Sequence, residues 1–371
     1  MAVIGVVGLG VMGLGIAQVF AAAGNTVIAY DGHAPARETA LTRLKSGLSL
    51  RVEAGKLTTA DLEAIVSRFT IADTLQEMAG TELVIEAIAE QLEAKQQLFA
   101  KLETITTAVL ATNTSSLSVA SLATVLACPG RLLGLHFFNP APAMKLVELV
   151  VTLETGAPAV EFARKLTEAA GKVVITCADT PGFIVNRCAR PYYGEALAML
   201  EEGRNPSEID AAMVSAGYRL GPFALIDLIG ADINLAASVG MRAAMGNHPR
   251  YHVFSTLSAQ VSRGDLGRKS GKGFVYPNNS VNLPSDAVEI VQRIEAVLAN
   301  EAATLLNEGG TDMASIDKAL RMGLNFPRGP SAVVRSHGLP AILAMLETLE
   351  ANAPAYLKGR YAPSPALQDL Q

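Results

Sequence analysis

Apolar positions follow two regimes along the chain. Up to about residue 180, short continuous apolar runs alternate with amphipathic stretches. The runs are VIGVVG near the start, TVIAYD, ELVIEAI (82–88), AVLATN (108–113) and RLLGLHFF (131–138), and segments such as EQLEAKQQLFAKLETI separate them. Apolar runs without alternation, divided by helices, predict an α/β fold whose mainly parallel, doubly wound sheet is covered on both faces. The stretch 37–70, which includes LTTADLEAIVSRF, reads as a helical pair inserted after the second strand. Beyond residue 181 helical periodicity takes over. Val291, Ile294, Leu298 and Leu305 recur at helical steps, the stripe of a packed helix.

The helical half repeats itself. EALAMLEEGRNPSEIDAAM (195–213) returns as EAATLLNEGGTDMASIDKAL (301–320), 106 positions on, and the Gly-Pro pair at 221–222 returns at 329–330. A period of that length is a whole helical domain duplicated. The predicted organisation is therefore an α/β domain at 1–180, a first helical domain at 181–280 and a second, degenerate copy at 285–371.

The first strand runs into Gly8, Gly10 and Gly13, then a helix rich in small residues that Gly24 can end. Glycines at these three spacings permit a tight turn, backbone approach to a pyrophosphate and close helix–strand contact, with the anion at the helix N-terminus. Asp31 closes the second strand about twenty residues on, where a carboxylate accepts the adenosine ribose hydroxyls. This context predicts a Rossmann-type dinucleotide site. A carboxylate there repels a 2′-phosphate and favours NAD over NADP, a preference that nearby Arg37 can soften.

Composition narrows the function. Half of the 371 residues are hydrophobic, 18% are charged, and the net charge is −5, with no basic run suited to nucleic acid. The N-terminus lacks a signal-peptide pattern, and no stretch approaches about 18 uninterrupted apolar residues, so a cytoplasmic protein without a membrane span is expected. Cys128, Cys177 and Cys188 form no metal or disulfide spacing and are expected to be buried thiols. No metal site is expected. Arg43, Lys45, Arg51 and Lys56 in the inserted helices are either contacts for substrate phosphates or a solvated face.

Ligands of such sheets sit beyond the carboxyl ends of the strands. AIAE (87–90), NTSSL (113–117) and HFFNP (136–140) therefore share one rim. The run LHFFNPAPAMKLVELV (135–150) carries His136 and Glu148 in otherwise apolar or proline-broken surroundings. A lone charge-capable group there costs several kcal/mol, which a pair avoids. Histidine accepts and returns a proton near neutral pH, as oxidation of an alcohol by NAD requires, and a carboxylate orients it. A purely structural His–Glu pair is the alternative. Ser115 can bond the reacting oxygen or cap a helix. Asn186 lies one helical turn after Phe183 in DTPGFIVNR, as a substrate contact, a cap or a surface residue.

Together these segments resemble the L-3-hydroxyacyl-CoA dehydrogenase family over residues 3–280. The shared motifs are GLGVMGLGIAQVFAAAGNTVIAYD, VIEAIAE, TNTSSL, GLHFFNPAPAMKLVELV, DTPGFIVNR, GYRLGPFALIDLIG and GRKSGKGF. The resemblance implies His136 as general base with Glu148 as its partner, and Ser115 and Asn186 at the substrate's oxygens. It places Glu90, Lys95, Asn113, Asn139 and Lys269 around NAD, and makes the substrate an acyl-CoA in fatty-acid or aromatic-acid β-oxidation-type catabolism.

The extra helical copy is similar to bacterial 3-hydroxybutyryl-CoA or 3-hydroxyadipyl-CoA dehydrogenases, although the stretch between copies is short here. Gln292 stands where the first copy has Asn186, so no second active site is expected. No crotonase-like segment precedes residue 1, so hydratase activity is not expected. Two other readings remain: an L-gulonate 3-dehydrogenase of the lambda-crystallin type acting on a free hydroxy acid, and a non-enzymatic NAD-binding protein. The second copy is expected to pack on the first as an internal pseudo-dimer, giving a monomer, with a homodimer as the alternative.

Overall fold

The computed structural model describes residues 1–278 and 282–370. The last two residues of the expected 181–280 domain, and Gln371, lie outside the described residues. Two compact units divide the chain, Met1–Thr180 and Pro181–Gln371.

The first unit carries eight strands: β1 (Val3–Val7), β2 (Thr26–Tyr30), β3 (Phe69–Ile71), β4 (Leu83–Glu86), β5 (Val109–Thr112), β6 (Leu132–Phe137), β7 (Leu146–Val151) and β8 (Val173–Ala178). They form one sheet in the order β3-β2-β1-β4-β5-β6-β7-β8. Every neighbouring pair is parallel except β6 and β7. Six helices connect them: α1 (Val11–Ala22), α2 (Ala34–Glu53), α3 (Thr59–Ser67), α4 (Leu92–Ile105), α5 (Val119–Ala123) and α6 (Ala157–Ala169). The core draws on both strands and helices, with Ile4, Val6, Phe20, Leu83, Leu133 and Leu149 at no more than 1% exposure.

Three expectations change. The helical insertion starts at Ala34 and ends before residue 69, because Phe69–Ile71 pairs with β2 as an edge strand. Its alternation of buried Phe69 and exposed Thr70 outweighs the helical pattern before it. The sheet also continues past the last strand expected, β6, into β7 and β8, and no helix separates β6 from β7. KLVELV folds back as β7, and Lys172 holds the intervening loop by donating to the carbonyls of Ala141 and Met144 at 2.6 and 2.8 Å. Finally, Cys177 and Cys188 are buried but Cys128 is exposed. It lies on the turn before β6, where the Glu103 carboxylate receives its backbone N–H.

Among the described residues the second unit holds nine further helices: α7 (Val185–Glu201), α8 (Pro206–Ser215), α9 (Pro222–Ile229), α10 (Ala231–Ala244), α11 (Ser255–Ser262), α12 (Ala287–Glu308), α13 (Met313–Gly323), α14 (Pro330–His337) and α15 (Leu339–Asn352). The α12 helix runs through its middle, packed on α7, α8, α14 and α15. Its stripe of Val291, Ile294, Leu298 and Leu305 is buried.

Ion pairs that are buried at Glu301 and Glu195 and exposed at Glu308 and Glu202 join α7 to α12 reciprocally. Arg187 donates through Nε to Glu301 at 2.7 Å and through both terminal nitrogens to Glu308 at 2.5 and 2.6 Å. Arg293 repeats the pattern on Glu195 at 2.7 Å and Glu202 at 2.6 and 2.7 Å. Arg250 and Tyr251 complete the shell of Glu301, and Arg360 and Tyr361 that of Glu195. No single helix among the described residues is long and apolar enough to cross a membrane.

Candidate active site

The site of the first unit is built on the carboxyl ends of β1, β2, β4, β5 and β6. At the end of β1 the backbone turns through Gly8 at φ 101°, where a side-chain carbon would meet the carbonyl oxygen of Ala87 at 2.5 Å. A carbon on Gly13 would fall 1.7 Å from the Gly8 carbonyl oxygen, so strand and helix touch where only glycine fits. Gly10 has nothing within 4 Å of that position. The α1 helix begins there with no side-chain cap and no acidic residue in its first turn. That open cradle at a helix N-terminus fits the pyrophosphate of a dinucleotide.

Asp31 follows β2. Its carboxylate accepts from the N–H groups of Leu9 at 2.7 Å and His33 at 2.8 Å, which fixes it against the glycine turn. Each carboxylate oxygen can accept a second bond, as a ribose hydroxyl requires. Arg37 donates to the Asp31 carbonyl at 2.6 Å and lies 5.6 Å over the Tyr30 ring. Of the four basic residues considered for phosphates, Arg43 bonds the Leu9 carbonyl at 2.8 Å, which places it on the glycine turn. Lys45 and Lys56 are exposed.

At the end of β4 stands a buried acid–base cluster. Lys95, 1% exposed, donates to Glu86 at 2.7 and 2.9 Å and pairs with Glu90 at 3.1 Å. Glu90 Oε1 gathers the loop after β5, accepting from Thr114 Oγ1 at 2.6 Å, the N–H groups of Ser115 and Ser116, and Ser116 Oγ. Partial burial pushes the Glu90 carboxyl up, but Lys95 and these donors outweigh it and hold the group below the ordinary value. Glu90, Lys95 and Ser115 thus form one network. Asn113 Oδ1 accepts from the N–H of Phe137 at 2.9 Å and ties this loop to the strand of the histidine.

The antiparallel turn from β6 to β7 brings His136 and Glu148 together. They stand directly opposite in the register, and Nδ1 lies 2.7 Å from Glu148 Oε2. His136 is 6% exposed and Glu148 is fully buried. Glu148 in its ionised form accepts from Nδ1–H, which leaves the basic lone pair on Nε2. The carboxylate also helps burial hold the Cys177 thiol well above its ordinary value. Asn139 is exposed just past the strand and precedes a cis proline, Pro140.

Asn186 and Lys269 belong to the second unit. Asn186 lies in the first turn of α7, half-buried, after a left-handed turn at Gly182 and Phe183. Lys269 pairs with Asp232 at 2.5 Å.

Several supporting residues escape a reading of the sequence. Asp179 accepts from Ser118 Oγ and from the N–H groups of Val119 and Ala120, anchoring the start of α5 just past the Ser115 loop. Glu86 carried a usable signal: it is a lone acid in an apolar strand, the same anomaly that singles out His136 and Glu148. Asp179 stands at the head of DTPGFIVNR with nothing in its spacing to indicate its partners.

A glycine turn that fits a pyrophosphate, a carboxylate after β2 and a buried histidine–carboxylate pair on the same sheet fit a nicotinamide-dependent dehydrogenase. Comparison with known proteins specifies which kind. The family model for the 3-hydroxyacyl-CoA dehydrogenase NAD binding domain matches residues 3–180, and that for the C-terminal domain matches 182–276 and 290–371. A 3-hydroxyadipyl-CoA dehydrogenase of Escherichia coli is 33% identical, covering 98% of this chain and 96% of that protein. A probable 3-hydroxybutyryl-CoA dehydrogenase of Bacillus subtilis is 39% identical over 72% of this chain and 95% of that protein. The crystal structure of a 3-hydroxybutyryl-CoA dehydrogenase from E. coli superposes with a TM-score of 0.92 at 33% identity, covering 99% of this chain and 98% of that one. The chain belongs to the 3-hydroxyacyl-CoA dehydrogenase family and is an NAD-dependent oxidoreductase.

Proposed function

We propose that the chain interconverts (3S)-3-hydroxyacyl-CoA and 3-oxoacyl-CoA through His136, and the observation that carries this reading is the His136–Glu148 pair at the carboxyl end of β6. Bound NAD supplies the hydride acceptor. In the oxidative direction His136 Nε2 takes the hydroxyl proton while the bond between carbon 3 and its hydrogen gives up a hydride. Glu148 holds the ring through Nδ1 and stabilises the imidazolium that forms. In reverse the imidazolium returns the proton to the new alkoxide. A positioned acid–base group of this kind contributes roughly 10²–10⁴-fold. Ser115, held by Glu90, and Asn186, on α7, contact the substrate's oxygens. Gly8, Gly10, Gly13 and Asp31 hold the adenosine and pyrophosphate end, with Glu90, Lys95, Asn113, Asn139 and Lys269 toward the rest of the cofactor.

The second helical copy serves assembly. Arg187, Glu195 and Glu202 in the first copy correspond, 106 positions on, to Arg293, Glu301 and Glu308 in the second. Each arginine bonds the glutamates of the other copy, as at an isologous dimer interface. The C-terminal family model matching once on each side of residue 280 supports the same reading. These reciprocal bonds support the reading of the helical unit as an internal pseudo-dimer, with the chain a monomer in solution and a homodimer as the alternative.

One assay tests the function: NADH absorbance followed with acetoacetyl-CoA, with a free 3-oxo acid, and with neither. The reading expects oxidation only with the thioester. Turnover of the free acid alone points to a sugar-acid or hydroxy-acid enzyme, and no turnover at all to a non-enzymatic NAD-binding protein. A panel of acyl-CoA lengths and ω-carboxylated acyl groups then assigns the tail.

A further inference from the structure

Glu86 has no exposed surface, yet nothing in the reaction above uses it. Its Oε1 accepts from Lys95 Nζ and from the N–H of Ile88, each at 2.7 Å. Oε2 accepts from Thr112 Oγ1 at 2.7 Å and again from Lys95 at 2.9 Å. Lys95 also pairs with Glu90. The groups that meet both carboxylates in this network are donors, which is the surrounding an ionised carboxylate needs. Two carboxylates against one ammonium leave a net charge of −1, with Glu86 and Lys95 buried and Glu90 partly exposed, so solvent screens only the Glu90 end.

The topology places this charge. Ala87, the next residue, is packed against Gly8 and Gly13 of the dinucleotide turn. On the other side, Glu90 holds the Ser115 loop and Asn113 reaches the strand of His136. The cluster therefore lies between the pyrophosphate turn and the base. Asp31 occupies the adenosine end of the same rim, which leaves the nicotinamide end for the cluster.

We propose that Glu86, Lys95 and Glu90 form a fixed anionic device that favours the oxidised, cationic nicotinamide over the neutral reduced one and so sets the ratio of NAD⁺ to NADH affinity. It rests on the cofactor reading of this site. The device complements Glu148. Oxidation removes the positive charge of the nicotinamide and creates one on His136. With an excess carboxylate beside each place, neither side of the reaction is strongly preferred in the complex.

The test is the dissociation constant of each cofactor form, measured by calorimetric titration without substrate. In Glu86→Gln the cluster becomes neutral, and Kd(NAD⁺)/Kd(NADH) should rise by at least about threefold, since removing one weakly screened negative charge weakens binding of the cationic form and leaves the neutral form unchanged. The double variant Glu86→Gln/Lys95→Met returns the cluster to −1. It should restore the ratio toward the unmodified value although more contacts have been lost, which no packing role predicts. Glu90→Gln makes the same charge change at a partly exposed position and replaces Glu86→Gln should that variant not fold. Equal weakening of both forms, or a double variant no nearer the unmodified ratio than the single one, overturns the proposal. An unmodified protein that binds neither form refutes the cofactor reading instead.

Discussion

Replacing Glu148 by glutamine keeps the shape of the side chain and removes its charge. The carboxylate is fully buried and 2.7 Å from His136 Nδ1, so charge centres in the protonated pair lie about 4 Å apart. At an effective dielectric of 20 that attraction is about 4 kcal/mol, part of which the amide oxygen recovers by accepting the same hydrogen bond. About 3–4 kcal/mol of lost stabilisation falls on the step that forms the imidazolium, a decrease of about 10²–10³-fold in kcat. Steady-state reduction of NAD⁺ with (3S)-3-hydroxybutyryl-CoA reads the rate, NADH titration the cofactor affinity, and a circular dichroism melt the fold. The expected result is the loss in kcat with NADH affinity and the melt nearly unchanged. Turnover within about threefold of the unmodified enzyme refutes the electrostatic role. Collapse of the melt, with activity lost in proportion, makes the pair a structural one.

Asp31→Ala should lower the preference for NAD over NADP in kcat/KM by about tenfold or more; equal use of both by the unmodified protein contradicts the ribose contact and points to Arg37 as a phosphate partner. The Glu90 carboxyl is depressed in the fold, so its stabilisation is complete above the ordinary value of 4.5 and is lost as pH falls through the lower folded one. The difference in melting temperature between the unmodified protein and Glu90→Gln should accordingly be flat near neutrality and vanish in acid; a difference that grows on acidification contradicts the assignment. Arg187→Met and Arg293→Met should each destabilise by up to about 3–5 kcal/mol in urea titrations, since each removes one of the two arginines that balance a buried glutamate, and markedly unequal losses speak against an isologous pairing. Truncation after residue 284 should expose the face covered by α12 and yield a dimer or aggregate in light scattering, whereas a truncated form that is monomeric and as stable as the full chain contradicts the pseudo-dimer.

The strands β1, β2, β4, β5 and β6 were legible because each is a short apolar run with turn residues or a helix on either side, and the glycine turn because its spacing has a steric meaning at Gly8 and Gly13. His136 and Glu148 stood out as polar residues in an apolar stretch. What the linear pattern lacked was the reason they meet. That depends on β7 returning antiparallel to β6 through a loop held by Lys172, and a direct cross-strand pair can be read only once the register is known. The edge strand β3 was hidden for a similar reason, since three residues carry too little periodicity to separate from the helix before them. The repeat of 195–213 at 301–320 could be read from sequence, but the reciprocal bonds of Arg187 and Arg293 required knowing which faces touch. Glu86 was readable by the logic applied to His136, and Asp179 was not, because its partners lie 59–61 residues away.

The central claim is that His136 moves the proton. Single-turnover rates for His136→Gln, with saturating NADH and acetoacetyl-CoA mixed rapidly, test it most directly, since they separate the chemical step from binding and release. The account predicts a rate lower by at least about 10²-fold with NADH affinity unchanged. A rate within a few-fold of the unmodified enzyme would contradict it and return the His136–Glu148 pair to a structural role.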